Sequence, residues 1–333
     1  MPLFHRETPE ERQRKERAQQ ETALAADLDQ RSQSALAAGG IPVRAQERVA
    51  AIRGASGSVP LFSSDLSVDE LALVRQTGYQ PLGLVAGSSV YHIGWNRWTS
   101  TGELDAQTRA LHDATNLAIQ RMRLEAEGMG AVGVVGVRLE IGRPAWGERL
   151  VEVRLLGTAL SVPGGGGTPF LSGLSAQEFV CLLQTGSRPA ALVFGNTAYY
   201  IYTNVMDSMQ NASWYNQEVQ KYSWGLRQAQ QYAFGRMHAA AHQVAASGIV
   251  GVHIEHRLER IEREEDYGGV SRQFNDYVIE YLAWGTAIVE APAVAHYPQP
   301  AIVIDLEDRA RTSRVTAATA GGDLVQTREA THE

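Results

Sequence analysis

Cysteine and lysine are nearly missing from this chain of 333 residues. The single cysteine, Cys181, has no partner for an internal disulfide and no companion thiolates for a metal site, which fits a reducing compartment. Lys15 and Lys221 are the only lysines, and the arginine bias of the other bases reads as a coding preference rather than as selected bidentate chemistry. An excess of positive charge is also absent: 30 bases against 37 acids leave a formal charge of −7, which argues against a general nucleic-acid binder, because phosphate recognition needs a basic face. No stretch approaches the roughly 18 consecutive apolar residues of a membrane span, and MPLFHRETPEERQRKER lacks the apolar run of a signal peptide. A cytoplasmic protein without a membrane span is the expectation. What remains is ordinary: 44% hydrophobic and 20% charged residues support a packed core, and the length suggests two or three domains.

Self-similarity is the dominant positive feature. LSVDELALVRQTGYQPLGLVAGSSVYHI from Leu66 aligns without gaps on LSAQEFVCLLQTGSRPAALVFGNTAYYI from Leu174, 108 residues later. GVVGVRLE from Gly133 recurs as GIVGVHIE from Gly248 at an offset of 115, and LGTAL around Gly157 recurs as WGTAI around Gly285 at 128. The growing offsets place one insertion in the second copy after Ile201 and another in the acidic loop around RIEREEDYGGVSRQ.

Each copy has the same local grammar. Ser67 with Glu70 and Ser175 with Glu178 are capping boxes that open a short helix, and Gly78 and Gly186 sit where such a helix ends in a left-handed residue. Apolar runs Leu82 to Ala86 and Ala190 to Phe194, each closed by a glycine and followed by a second short strand, predict a hairpin. A long helix follows. Its buried stripe is Leu111, Ala114, Ala118, Met122 and Ala126 in the first copy, and Leu226, Ala229, Ala233, Met237, Ala240 and Val244 in the second. Two further strands complete each α+β unit. The predicted organisation is a charged, helical or partly flexible arm (1–58), a first repeat (59–162), a Gly/Pro joint (163–169), a second repeat (170–290) and a flexible tail (291–333). The tail's apolar run AIVIDL, from Ala301, reads either as a docking peptide or as an extra edge strand.

The Gly-punctuated strands, long helix, GVVGVRLE and closing LLGTAL together resemble the YbjQ-like family, which carries a heavy-metal-binding label. The resemblance covers about residues 62–162 and again 170–290. It implies two tandem dodecin-subunit-like folds, each a long helix on a small, mostly antiparallel sheet, and single-domain members of the family that assemble into rings, typically pentamers. It implies no established reaction. Between the first strands and the long helix this chain lacks the family's Arg-Asp and Gly-Gly-Arg elements, and has GWNRWTSTG in one copy and an aromatic-rich segment in the other.

The label directs a search for metal ligands. His238 and His242 lie one helical turn apart, with His253 on the strand that follows, and such a set would suit zinc or nickel. The first copy is an internal control: Arg123, Glu127 and Arg138 stand at those positions, so the histidines replace ordinary surface residues. The GxGxxG string at Gly128 leaves a helix and enters a strand, the reverse of a dinucleotide fingerprint, and its glycines suit bends or close backbone approach. Polar positions shared by the copies, Gln76/Gln184, Thr77/Thr185, Tyr91/Tyr199 and Thr158/Thr286, form no catalytic set, and Glu152/Glu280 read as outward charges. Aromatics crowd the segment 199–224, which points to an interface, to an apolar ligand pocket or to local core packing. The leading expectation is therefore a non-enzymatic, cofactor-free assembly or binding protein. It would be a homo-oligomer in a pentameric or pseudo-decameric ring, with the arm or tail recruiting a protein partner. The alternative is a sensor that binds a divalent metal or small ligand through His238, His242 and His253.

Overall fold

In a computed structural model the described residues are 9–53, 62–94, 100–144, 147, 149–207, 218–267 and 270–291, with three short strands beyond. The architecture is α+β. Helix α1 (Pro9–Ala37) carries mixed charge and is mostly exposed along its described side chains. Helix α2 (Val43–Ile52) packs on the long helix that begins at Asp105: Val43 and Val49 are buried, Arg48 forms an ion pair with the buried Glu125, and the Arg53 guanidinium donates to the Glu127 carbonyl at 3.1 Å. Glu125 also accepts from the Ala86 amide at 2.8 Å, so it ties α2 to the sheet below. Arg48→Ala would leave that carboxylate buried without its ion pair and is expected to cost about 2 kcal/mol, read by urea unfolding.

Two four-stranded sheets follow. The first has the order β1-β4-β3-β5, from β1 (Gln80–His92), β3 (Gly133–Gly142), β4 (Leu150–Ser161) and β5 (Phe170–Leu171). The second has the order β2-β6-β8-β7, from β2 (Gly102–Glu103), β6 (Ser187–Ile201), β7 (Gly248–Tyr267) and β8 (Val270–Glu290). Short capped helices α3 (Val68–Gln76) and α5 (Ala176–Gln184) precede the long strands. Both capping boxes form, and Gly78 and Gly186 take φ of 85° and 75°. Long helices α4 (Asp105–Met129) and α6 (Gln220–Gln243) pack on β1 and β6. The stripe expected on α4 is wholly buried, whereas on α6 the buried set is Gly225, Ala229, Ala233, Met237 and Ala241, with Leu226 and Val244 exposed.

The structure corrects two local expectations. The predicted hairpins are single continuous strands, β1 and β6. Their central glycines do not turn the chain but admit the long helix. A Cβ on Gly87 would lie 2.0 Å from the Ala118 carbonyl oxygen, and one on Gly195 2.0 Å from that of Ala233. The expected acidic loop is paired strand, because β7 and β8 stay in register from Arg257–Glu280 out to Tyr267–Val270. Beyond residue 291 the described residues are β9 (Ile302–Ile304), β10 (Val315–Ala318) and β11 (Leu324–Gln326), which among the described residues pair only with one another.

Candidate assembly interface

The Gly/Pro segment does not leave the copies loosely joined, because immediately after it the chain inserts into the other copy's sheet. Strand β5 runs parallel to β3, and the whole stretch Phe170–Leu174 covers the β3 edge. The Phe170 and Ser172 amides donate to the Val132 and Val134 carbonyls at 3.2 and 2.9 Å, and the Gly136 and Val137 amides donate back to the Leu174 and Ser172 carbonyls at 2.7 and 2.9 Å. A β-bulge at Gly136, φ 64°, turns two successive amides outward to make this possible. The Phe170 ring lies against Gly133: any Cβ there would sit 2.2 Å from ring carbons. In exchange β2 of the first copy pairs with Tyr199 and Tyr200 on the edge of β6.

Apolar and charged contacts reinforce the exchange. Val74 of α3 and Val135 and Leu160 of the first sheet form one cluster with Ala176, Phe179, Val180 and Leu183 of α5. Leu192, Phe194, Leu282 and Trp284 of the second sheet bury themselves in the first copy's core with Leu111 and Leu139. Glu280, expected to be an outward charge, instead pairs with Arg143 and accepts from Gln107 at 2.6 Å. Arg236 binds Glu103 across the copies at 2.7 Å. Burial alone would raise the Glu103 carboxyl, but bonds from Arg236, Thr197 and Thr108 outweigh it and hold the group below the usual carboxylate range.

The shared polar residues hold backbone. Thr158 Oγ1 accepts from the Asp65 amide at 3.1 Å, and Thr286 Oγ1 accepts from the equivalent Gly173 amide at 3.0 Å. Thr77 and Thr185 donate to the Val74 and Leu182 carbonyls, each at 2.7 Å, and finish their helices. A groove of about 760 Å³ lies over β6 between α4 and α6, lined by Arg109, His112, Arg123, Asn196 and Arg236, with Asp105 at its edge.

The second copy has a polar knot that sequence reasoning missed. Asp276, fully buried, accepts from Arg263 Nε at 2.6 Å, from the Thr203 amide at 2.7 Å and from the Tyr200 hydroxyl. Burial would raise its carboxyl, but the bonds from Arg263, Tyr200 and Thr203 prevail and keep it below the usual range. Burial and the Asp276 carboxylate both push the Tyr200 phenol up. Arg263 also covers the Tyr202 ring at 4.1 Å and the Phe274 ring at 4.9 Å, closing the base of the β7–β8 ribbon.

A family profile described as "Putative heavy-metal-binding", YbjQ, matches residues 82–163. The "Encapsulin nanocompartment protein Rv1762c" of Mycobacterium tuberculosis is 36% identical over 201 residues, covering 58% of this chain and 77% of that protein. A "UPF0145 protein" of Pseudothermotoga lettingae is 35% identical over 103 residues, 28% of this chain and 95% of the relative. A second UPF0145 protein, from Hahella chejuensis, is 38% identical over 86 residues, 24% of this chain and 81% of the relative. The chain belongs to the YbjQ (UPF0145) family. No solved structure matches it.

The name of the YbjQ family makes the position of the histidines relevant. His238 is exposed on α6 with its ring parallel to Phe234 at 6.5 Å, His242 is exposed one turn on, and His253 stacks on Trp284 at 4.4 Å on the sheet. Among the described residues no group of three or more His, Cys, Asp or Glu side chains is placed to hold one metal ion. Cys181 is exposed on α5. In the aromatic segment Tyr199 and Tyr200 are core residues, Tyr222 meets Tyr277 edge-on at 4.5 Å and Trp224 is half exposed, while Met209, Trp214 and Tyr215, like Trp95 and Trp98, lie outside the described residues. No described helix is long and apolar enough to cross a membrane.

Proposed function

We propose that this YbjQ-family protein is a non-enzymatic homo-oligomeric scaffold, and that it is a component of an encapsulin-type nanocompartment. Its two sequence copies are read as tandem family domains, 59–162 and 170–290, joined by 163–169. The match of 201 residues to the mycobacterial protein, about twice the 103 and 86 residues matched in the UPF0145 proteins, supports that reading. One observation carries the proposal: the copies complete each other's sheets by exchanging strands β2 and β5, the kind of contact through which family domains would join one another. The link to a nanocompartment rests on the name of the mycobacterial relative. The arm (1–58) and the tail (291–333) are the recruiting elements.

Native mass spectrometry of the full chain at micromolar concentration is expected to show a discrete oligomer, in a closed ring of chains. A monomer at every concentration would overturn the scaffold reading. Co-expressed with a compartment shell, the full chain is expected to sediment with the shell, and a chain ending at Ala291 is expected to stay behind.

A further inference from the structure

The second copy of the fold repeats the geometry of the first but lacks its cover. Strand β7 is the outermost strand of its sheet, and among the described residues no strand lies on its free edge. At equivalent positions, Val137 of β3 is 1% exposed and Val252 of β7 43%, Leu139 is 2% exposed and Ile254 48%, and Leu111 of α4 is 5% exposed against 37% for Leu226 of α6. The covered and uncovered edges share their special backbone. A bulge interrupts β7 at Gly251, φ 59°, where the bulge of β3 falls at Gly136. Gly248 stands where Gly133 receives the Phe170 ring, yet a Cβ on Gly248 would meet only Ile288, at an ordinary 3.7 Å.

The segment that would fill this edge is also present, and among the described residues no strand pairs with it. Phe62-Ser63-Ser64-Asp65-Leu66 is the counterpart of Phe170-Leu171-Ser172-Gly173-Leu174, and the residues that face β3 from the latter, Phe170, Ser172 and Leu174, are identical to Phe62, Ser64 and Leu66. The intervening residues are held by their own copy: the Ser63 carbonyl accepts from the Leu84 amide at 2.9 Å, and the Asp65 amide donates to Thr158. The amides and carbonyls of Phe62, Ser64 and Leu66 therefore point the other way, at the period of two that an added strand requires; the Leu66 side chain packs on the cluster around Val74 and Phe179, and Phe62 is 46% exposed.

We propose that Phe62–Leu66 of a second copy of this chain adds as a parallel strand to the β7 edge, with Phe62 seated over Gly248. The inference deepens the scaffold reading and rests on it. By the internal precedent, the Phe62 and Ser64 amides donate to the Ser247 and Ile249 carbonyls, and the Gly251 and Val252 amides donate to the Leu66 and Ser64 carbonyls. The segment cannot turn back onto its own β7, because Ser63 and Asp65 tie it to β1 and β4. The contact joins unlike surfaces, the entry of one chain to the far edge of the next, so it propagates head to tail and closes into a ring when the rotation allows. The apolar side chains of β7 and α6, Val252, Ile254 and Leu226, then meet the face of the neighbour's first sheet that carries the exposed Leu156.

Gly248→Ala separates assembly from folding. The methyl group has room within the chain but would overlap a seated Phe62 ring, as one on Gly133 would overlap Phe170. Native mass spectrometry of Gly248→Ala and of Phe62→Ala is expected to show the assembly dissociating at a concentration at least about tenfold higher than that of the unmodified chain. Far-UV circular dichroism should be unchanged in both. Gly235→Ala, on the exposed side of α6, is expected to keep the parent mass. A benzoylphenylalanine at position 62 is expected to cross-link to the peptide of another chain that contains Gly248. An oligomeric parent whose mass survives both substitutions, or whose cross-link maps elsewhere, overturns this contact and leaves the scaffold reading standing. A monomeric parent overturns both.

Discussion

Gly195→Ala is expected to lower the stability of the protein by roughly 3 kcal/mol or more, measured as a fall in the urea midpoint. The new methyl group would lie 2.0 Å from the Ala233 carbonyl oxygen and 2.6 Å from the Met237 amide nitrogen. Both are backbone atoms in the middle of α6, so no side-chain rotation relieves the overlap, and the helix must lift from the strand or bend. Lifting it would open the contacts that Ala229, Ala233 and Met237 make with Val193 and Tyr281. Gly87→Ala should act the same way through Ala118 and α4. Gly235→Ala in the same helix as the first clash is the control. Its added Cβ meets nothing within 4 Å, and removing a helical glycine is expected to stabilise by about 0.5 to 1 kcal/mol. Should Gly195→Ala and Gly235→Ala behave alike, close packing of helix on strand is not what those glycines provide.

Asp276→Asn is expected to cost about 2 to 3 kcal/mol near neutral pH, because the partly buried Arg263 would lose its ion pair with Asp276 and keep only the one with Glu265. The effect should depend on pH in a definite direction. The Asp276 carboxyl titrates below its ordinary value in the folded chain, so the stability it contributes is complete above the unfolded-state carboxylate range and is lost as pH falls through the depressed folded value. The gap between the parent and Asp276→Asn, followed by urea unfolding from pH 6 downward, should therefore narrow below about pH 4. A gap that stayed constant to the acid limit would mean that the carboxylate charge is not what holds the ribbon.

Local signals in the chain were strong where a short stretch carries its own physics. Ser67 and Glu70, and Ser175 and Glu178, form the capping boxes that their spacing predicts, since hydroxyl, carboxylate and orphan amides lie within one turn. The α4 stripe from Leu111 to Ala126 is buried as its period requires. The prediction weakened where one residue type has two uses. Gly87 and Gly195 end apolar runs and so suggest turns, yet a glycine inside a strand also permits another backbone to come close, and here it does. The stretch RIEREEDYGGVSRQ, residues 260–273, reads as an acidic loop because it is charged. Both faces of a projecting two-stranded ribbon can meet water, so its strands need no apolar face and leave no hydrophobic alternation to read. Glu280 looked outward from its own sheet, and only the neighbouring copy supplies Arg143 and Gln107. The identities Phe62/Phe170, Ser64/Ser172 and Leu66/Leu174, spaced by two, were a usable sign of a strand with a dedicated outer side.

Comparison of the chain with itself was enough to establish that one pattern occurs twice, where its two short helices begin and end, and which face of α4 is apolar. These are properties of neighbouring residues, and side-chain chemistry within one or two turns determines them. Which sheet edges are covered is of another kind. A strand edge binds through amides and carbonyls that nearly every residue possesses, so almost nothing in the residue types of β3 or β7 distinguishes a filled edge from an open one. That distinction appeared only when three-dimensional packing buried Val137 and left Val252 in water.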